Sequence, residues 1–357
     1  MTKRHYRRNH QQLARATGRR AVLAGIGAAA VSASALSLLP LRSARAEAQF
    51  TLRLASWGAP TAPQVVNFVG PFQKAVEAES HGRISVQSFP AGSLVKEQAV
   101  PAAIQSRVVD ISLTTMGSWA SIVPTAGVLN TVFFSPVAAD FEKAIGPETP
   151  LFNTLDQAMA AHGVRLLAVL YNGPVVVVSR APMDSPAAFR GKTIRVFDRL
   201  TAQIVQALGG APSTIEVADV YPALERGTVQ GAIGGLEGAI GLKEYEVSKY
   251  LLATNGVFGL LITGYVMNRS ALDALPPDLQ KVVLDAGHTI GVETTKAMIA
   301  AYARELDAMR QHGMTVTVLE PGKPPYRAFT EALASLKKSQ EAQFPPDLVK
   351  QVVDAQR

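Results

Sequence analysis

Two patterns predict an α/β fold with material for more than one core. Short apolar runs with strand-like alternation recur between longer runs whose apolar residues fall at helical spacing. One helical pattern, from about residue 276 to 312, is far longer than its neighbours. The alternation argues for mostly parallel sheets with helices on both faces. With 357 residues, 48% of them hydrophobic, the chain can bury two cores of ordinary size. It has no cysteine, which excludes a disulfide scaffold, a thiolate metal site and a Cys nucleophile.

The first segment is set apart by charge. The formal net charge of +7 invites a search for polyanionic partners. Residues 1–46, however, contain Lys3, Arg4, Arg7, Arg8, Arg15, Arg19, Arg20, Arg42 and Arg45 and no acid, and without these nine cations the remainder carries 26 basic against 28 acidic residues. Nucleic acid is therefore not an expected partner. A basic start ending in Arg19-Arg20, an uncharged run from Ala21 to Pro40 and Ala44-Arg-Ala46 follow the order of a bacterial export peptide. The arginine pair before a Gly- and Ala-rich core predicts a twin-arginine-type signal cleaved near Ala46, and hence a periplasmic protein. Gly25, Gly27, Ser32, Ser34 and Ser37 weaken the run as a membrane anchor.

The elements follow in order. Thr51–Ser56 alternates as a strand, and Pro63–Glu79 carries Val65, Val66, Phe68, Val69, Phe72 and Val76 at helical spacing until His81-Gly82 stops it. Ile84–Phe89 is a second strand, Glu97–Arg107 a helix and Val108–Leu113 a third strand led by Asp110. Arg165–Leu170, Val175–Ser179 and Thr193–Phe197 read as strands, the last followed by a helix from about Leu200 to Leu208. Val217–Arg226 reads as a helix and Val229–Ile233 as a strand. The pattern from Pro276 to His312 is either two helices broken near Gly287 and Gly291 or one helix of about 50 Å that crosses and couples two domains.

No P-loop, GxSxG elbow, HExxH or His pair at ligand spacing occurs. Beyond the leader, His81, His162, His288 and His312 each stand alone, where a solvated surface role is the default, and Glu244 with Glu246 reads as a solvated helix face. An exported chain with no nucleophile, base or metal set is expected to bind rather than to catalyse. No catalytic residue, metal or cofactor is expected.

Several motifs then fall in a telling order: Phe89-Pro-Ala-Gly-Ser-Leu94, Gln105-Ser-Arg-Val-Val-Asp110, Tyr171-Asn-Gly173, Phe189-Arg-Gly-Lys-Thr-Ile-Arg-Val196, Gly209-Gly-Ala-Pro212, Asp219-Val-Tyr-Pro-Ala-Leu-Glu-Arg-Gly227 and Leu275-Pro-Pro-Asp-Leu-Gln-Lys-Val-Val283. In this order the chain resembles the solute-binding proteins of TRAP transporters. The resemblance implies a two-lobed periplasmic binding-protein fold with a long inter-domain helix and a ligand cleft between the lobes. It implies lobe I over residues 47–170 plus about 262–300, and lobe II over 171–261 plus about 301–357. The implied partners are a small-molecule carboxylate and the small and large TRAP membrane subunits, with the receptor itself a monomer or a dimer.

The resemblance places the ligand arginine at Arg195, and the residues agree. Thr193-Ile-Arg-Val-Phe197 puts a guanidinium between apolar neighbours, which is costly unless an anion pairs with it. That anion is either a ligand carboxylate, gripped by two parallel hydrogen bonds, or a structural partner such as Asp198 or Asp219. The resemblance also carries Ser56, Trp57, Glu97 and Met116–Trp119 onto the first pocket wall, and Tyr171, Asn172, Asp198, Val217 and the turn Gly231–Gly235, with Gly234, onto the second. Val175 stands where sialic-acid receptors carry a second arginine, and the turn lacks the Gln-Glu-Asn run of dicarboxylate receptors. Trp57, Trp119, Tyr171, Val175 and Val217 are thus expected to leave the cavity apolar apart from one cation, which suits a monocarboxylate with an apolar or aromatic body. A periplasmic enzyme using Asp219 or Glu237 as base, or a sensor-input binding protein of the same fold, stand as alternatives.

Overall fold

The computed structural model describes residues 48–63, 65–131 and 141–355. The expected leader, residues 1–46, lies outside the described residues. Among the described residues, strands form at β1 (Phe50–Ser56), β2 (Ile84–Phe89), β3 (Ile111–Thr115), β4 (Val164–Pro174), β5 (Val176–Ser179), β6 (Thr193–Val196), β7 (Ala211–Thr214), β8 (Gly231–Gly234), β9 (Tyr250–Ala253), β10 (Leu260–Asn268) and β11 (Thr315–Val318). They pair into a five-stranded sheet, β2-β1-β3-β10-β4, and a six-stranded sheet, β11-β9-β5-β8-β6-β7. Each sheet is the centre of one lobe.

Each sheet is mostly parallel, as expected, but holds one reversed strand that the sequence does not announce. The chain passes between the sheets from β4 to β5 and returns from β9 to β10. Of these strands, β10 runs antiparallel to β3 and β4, while β5 runs antiparallel to β8 and β9. A strand buried on both faces reads as a continuous apolar run whatever the direction of its neighbour, so local pattern is blind to this. The helix expected over Pro63–Glu79 holds a wider turn at Val65–Val69 before the regular helix Gly70–Glu79. That expected over Glu97–Arg107 is a 3₁₀ turn, Glu97–Ala99, followed by a short helix, Val100–Gln105. Strands β7, β9, β10 and β11 were not anticipated.

The long pattern is one helix, Pro277–Gln311, 35 residues without a break. Its glycines serve packing. A Cβ on Gly287 would stand 2.9 Å from the Leu167 Cβ, and one on Gly291 would stand 2.6 Å from the Ala168 Cβ. Leu167 and Ala168 belong to β4, so the two glycines let the helix lie against that strand. Its first half, with Leu279, Val283, Ala286 and Ile290, joins the core under the first sheet. Its last turns, with Leu306 and Met309, join a core under the second. One rigid element therefore packs on both lobes.

Magnitudes decide what Gly291→Ala should do. A Gly-to-Ala change inside a helix gains about 1 kcal/mol of propensity, whereas overpacking against a strand costs about 1–3 kcal/mol. The substitution is expected to lower the urea midpoint. A rise of the size seen at an exposed helical glycine would contradict the packing account.

Candidate functional site

Between the lobes lies a cleft with about 720 Å³ of empty space, part of it open to solvent. Of the residues expected at the site, it brings together Trp57, Glu97, Arg195, Val217 and Gly234.

Arg195 is placed by β6, whose neighbours Ile194 and Val196 are fully buried. Pairing with β7 and β8 on its two sides holds the strand inside the sheet, with Arg195 opposite Ser213 and Ala232. The residue is only 5% exposed. Its Nε donates to the Ile215 carbonyl at 2.9 Å and its Nη1 to the Ile233 carbonyl at 2.8 Å. The Phe197 ring lies beneath the guanidinium carbon at 5.8 Å. Among the described residues Arg195 forms no ion pair, and Nη2 meets no protein acceptor. The structural pairing with Asp198 or Asp219 is thus absent. Burial pushes the guanidinium pKa down, and the fields of Glu244, Glu216 and Asp198 partly offset this.

Asp198 has a different task. Its Oδ1 accepts from the backbone N–H of Thr201 at 2.7 Å, capping the helix Arg199–Ala207. Its Oδ2 is buried without a partner and lies close to Gly117 of the first lobe, where any Cβ would stand 2.1 Å away. The approach of the lobes at this point requires glycine at 117.

Four other expected wall residues also lie off the cleft. Trp119 and Tyr171 belong to the first-lobe core, where Phe141 meets Tyr171 edge-on at 5.6 Å. Asn172 is 2% exposed and accepts from the Thr263 hydroxyl at 2.7 Å. Val175 lies in a second-lobe core, and its neighbours Val176 and Val178 reach the cleft instead. For Tyr171, Asn172 and Val175 the cause is strand parity: residues 171–174 end β4 and Val175 alone links it to β5, and a one-residue shift there reverses which side chains face the cleft. Gly231–Gly235, expected as a turn, is strand β8 through Gly234.

The first-lobe face is polar. Glu97 Oε1 accepts four hydrogen bonds: from Thr114 Oγ1 at 3.0 Å, the Thr115 N–H at 2.8 Å, Thr115 Oγ1 at 2.9 Å and Ser118 Oγ at 2.8 Å. Its Oε2 is buried with no partner. Burial raises the Glu97 pKa against the pull of those donors. Beside it, Gln98 Nε2 donates to the Phe197 carbonyl at 2.8 Å, a direct bond from one lobe to the other.

Sequence reasoning misplaced Glu244 and gave Glu237 a role only in the alternative enzyme reading. Glu244, expected on a solvated face, is 7% exposed and lines the cleft near Arg195, while its companion Glu246 stays exposed. Glu237 is 1% exposed and lines the cleft as well, with both carboxyl oxygens buried and unpartnered. Burial pushes Glu237 up to about 8 and Glu244 up to about 7. A usable signal existed: a lone charge inside the apolar run Gly231–Leu242 is the same cue that marks Arg195. The cavity is therefore not apolar apart from one cation. Of the single histidines, His288 is half-buried, with Phe152 edge-on to it at 5.6 Å.

These shifts fix a pH dependence. A carboxyl raised from 4.5 to about 8 holds its proton longer in the folded state, so its contribution is complete below pH 4.5 and is lost as pH rises through about 8. Glu305 and Glu244 face Glu237 and add to the effect, and Glu237 in turn acts on Tyr171. The ligand-free protein is expected to melt at progressively lower temperature across that window, and Glu237→Gln should flatten the decline. Superimposable melting profiles for the two proteins would refute the assignment.

The fold has clear relatives. Residues 55–343 match the model of the bacterial extracellular solute-binding protein family 7. The chain is 24% identical over 291 residues to the 2,3-diketo-L-gulonate-binding periplasmic protein YiaO of Escherichia coli (strain K12), covering 80% of this chain and 86% of that protein. It is 24% identical to the ectoine-binding periplasmic protein TeaA of Halomonas elongata, covering 74% and 77% of the two chains. Among solved structures, DctP7 of Bordetella pertussis, a solute receptor binding pyroglutamic acid, superposes with a TM-score of 0.76 at 18% identity over 86% of this chain and 99% of that one. A TRAP periplasmic solute-binding protein of Ralstonia eutropha with bound (S)-2-acetolactate gives 0.78 at 21% identity over 85% and 98%. The chain belongs to family 7 of the bacterial extracellular solute-binding proteins, the receptors of TRAP transporters.

Proposed function

We propose that this receptor captures a small monocarboxylate between its lobes by pairing it with Arg195, and delivers it to the TRAP membrane subunits. The observation that carries the reading is the buried guanidinium with no protein anion and an open Nη2 edge on the cleft. A carboxylate there gains charge-assisted hydrogen bonds and relieves an uncompensated buried charge. Trp57, Val176, Phe197, Val217 and Leu261 supply the apolar wall for the rest of the solute. Among the described residues lining this space Arg195 is the one Lys or Arg, so a second carboxylate would find no cation to pair with. Relatives described as binding diketogulonate, pyroglutamate and acetolactate support an organic acid as the class.

The two lobes, residues 47–170 with about 262–300 and 171–261 with about 301–357, would close over the solute. Contacts made only in the closed form shift that equilibrium. The helix Pro277–Gln311 and the Gln98–Phe197 bond would couple the two halves. The solute is bound and released unchanged, outside the cell membrane, after export directed by residues 1–46 as a twin-arginine-type leader.

A thermal-shift panel of monocarboxylates, dicarboxylates and sialic acid tests the class, since a ligand at 100 times its dissociation constant stabilises by about 2.7 kcal/mol. A monocarboxylate should raise the melting temperature. In Arg195→Ala its affinity should fall by roughly 100-fold or more, the value of two charge-assisted hydrogen bonds, while the fold is kept. A response confined to dicarboxylates or sialic acid, or undiminished affinity in the variant, would defeat the reading.

A further inference from the structure

The acids of the cleft do not share one role. Glu97 Oε1 is saturated by four donors, and Glu244 lies in the field of Arg195. Glu237 has neither. It occupies the first turn of the short helix Leu236–Gly241, and the backbone N–H groups of Glu237 and Gly238 lean toward its carboxyl without reaching hydrogen-bond geometry. The charges that act most strongly on it are Glu305 and Glu244, both acids.

The carboxyl lies directly against Gly235. A Cβ on Gly235 would stand 2.5 Å from each Glu237 oxygen and 2.5 Å from Leu261 Cδ2, so any side chain at 235 would displace the carboxyl or cover it. Across the same cleft, Glu97 Oε2 is also buried and unpartnered. Residues of both lobes that line one cavity thus hold unpartnered acceptor oxygens, and neither Glu97 nor Glu237 is bonded to the Arg195 guanidinium. A buried acceptor left without a donor costs free energy that a bound donor restores.

We propose that Glu237 is a specificity-determining residue: its carboxyl accepts an N–H group of the solute, so the receptor selects monocarboxylates that also carry nitrogen, as an ammonium or a lactam. This rests on the carboxylate reading of Arg195 and narrows it. One end of the solute pairs with the cation and the other with the vacant acid. A site built to receive an N–H discriminates strongly against an analogue that lacks it, because its own polar group then stays unpaired. An apolar acid of the same shape leaves Glu237 as it is in the empty cleft.

Matched ring pairs test this on the purified receptor. Proline against tetrahydrofuran-2-carboxylate compares an ammonium with an ether oxygen. Pyroglutamate against 5-oxotetrahydrofuran-2-carboxylate compares a lactam N–H with a lactone oxygen. In titration calorimetry at least one nitrogen member should bind roughly tenfold or more tighter than its oxygen partner. Glu237→Leu should erase that preference, and Glu237→Ala provides the same test should the leucine variant fail to fold. Equal binding within both pairs, or a preference that survives both variants, overturns the role of Glu237 and leaves Arg195 untouched. Undiminished affinity of both members of a pair in Arg195→Ala overturns the carboxylate reading instead. Absence of binding by all four acids overturns both.

Discussion

A guanidinium at 5% exposure with no counter-ion among the described residues is the constraint around which the cleft is organised. Two strand-end carbonyls, of Ile215 and Ile233, hold it flat and aim it. They satisfy two of its N–H groups but supply no charge. Glu244, Glu216 and Asp198 keep it cationic through their fields without closing on it. On the proposed reading the arrangement is one half of a salt bridge, prepared at some cost in stability, that a solute carboxylate would complete. This is the general form of preorganisation: reorganisation is done in the fold, so binding spends little on it.

The rest of the molecule makes that half-site reversible. The cleft lies between sheets joined by strand crossings and by a 35-residue helix packed on both. Glycine governs the closest approaches: Gly287 and Gly291 seat the helix on β4, and Gly117 admits the Asp198 carboxyl. The lobes are already tied by Gln98 to the Phe197 carbonyl, two residues from Arg195 along the chain. A solute bound at Arg195 therefore acts beside an existing inter-lobe bond.

Sequence alone carried the α/β class, most strand positions and the buried setting of Arg195, because each depends on local pattern. Arg195 stands out as a lone charge in an apolar strand, and that cue survives folding. What failed were properties set by distant partners. Strand direction in β5 and β10 depends on where the chain re-enters a sheet. The walls at Tyr171 and Val175 depend on which face of a strand meets the other lobe, and Trp119 on how the short helix Met116–Trp119 turns into the first-lobe core. Glu244 looked solvated beside Glu246, yet the left-handed turn at Lys243, φ 54°, precedes a 3₁₀ turn that sets the two apart. Gly287 and Gly291 read equally as breaks or as packing sites until Leu167 and Ala168 were seen beneath them.

The most direct test of the central claim is a crystal structure of the receptor with the solute that co-purifies with it. The account predicts a carboxylate oxygen within about 3 Å of Arg195 Nη2, with the lobes closed over it. A solute bound in the cleft with no anionic group on Arg195, or a guanidinium paired instead with Glu244 or Glu216 while the solute sits elsewhere, would contradict it.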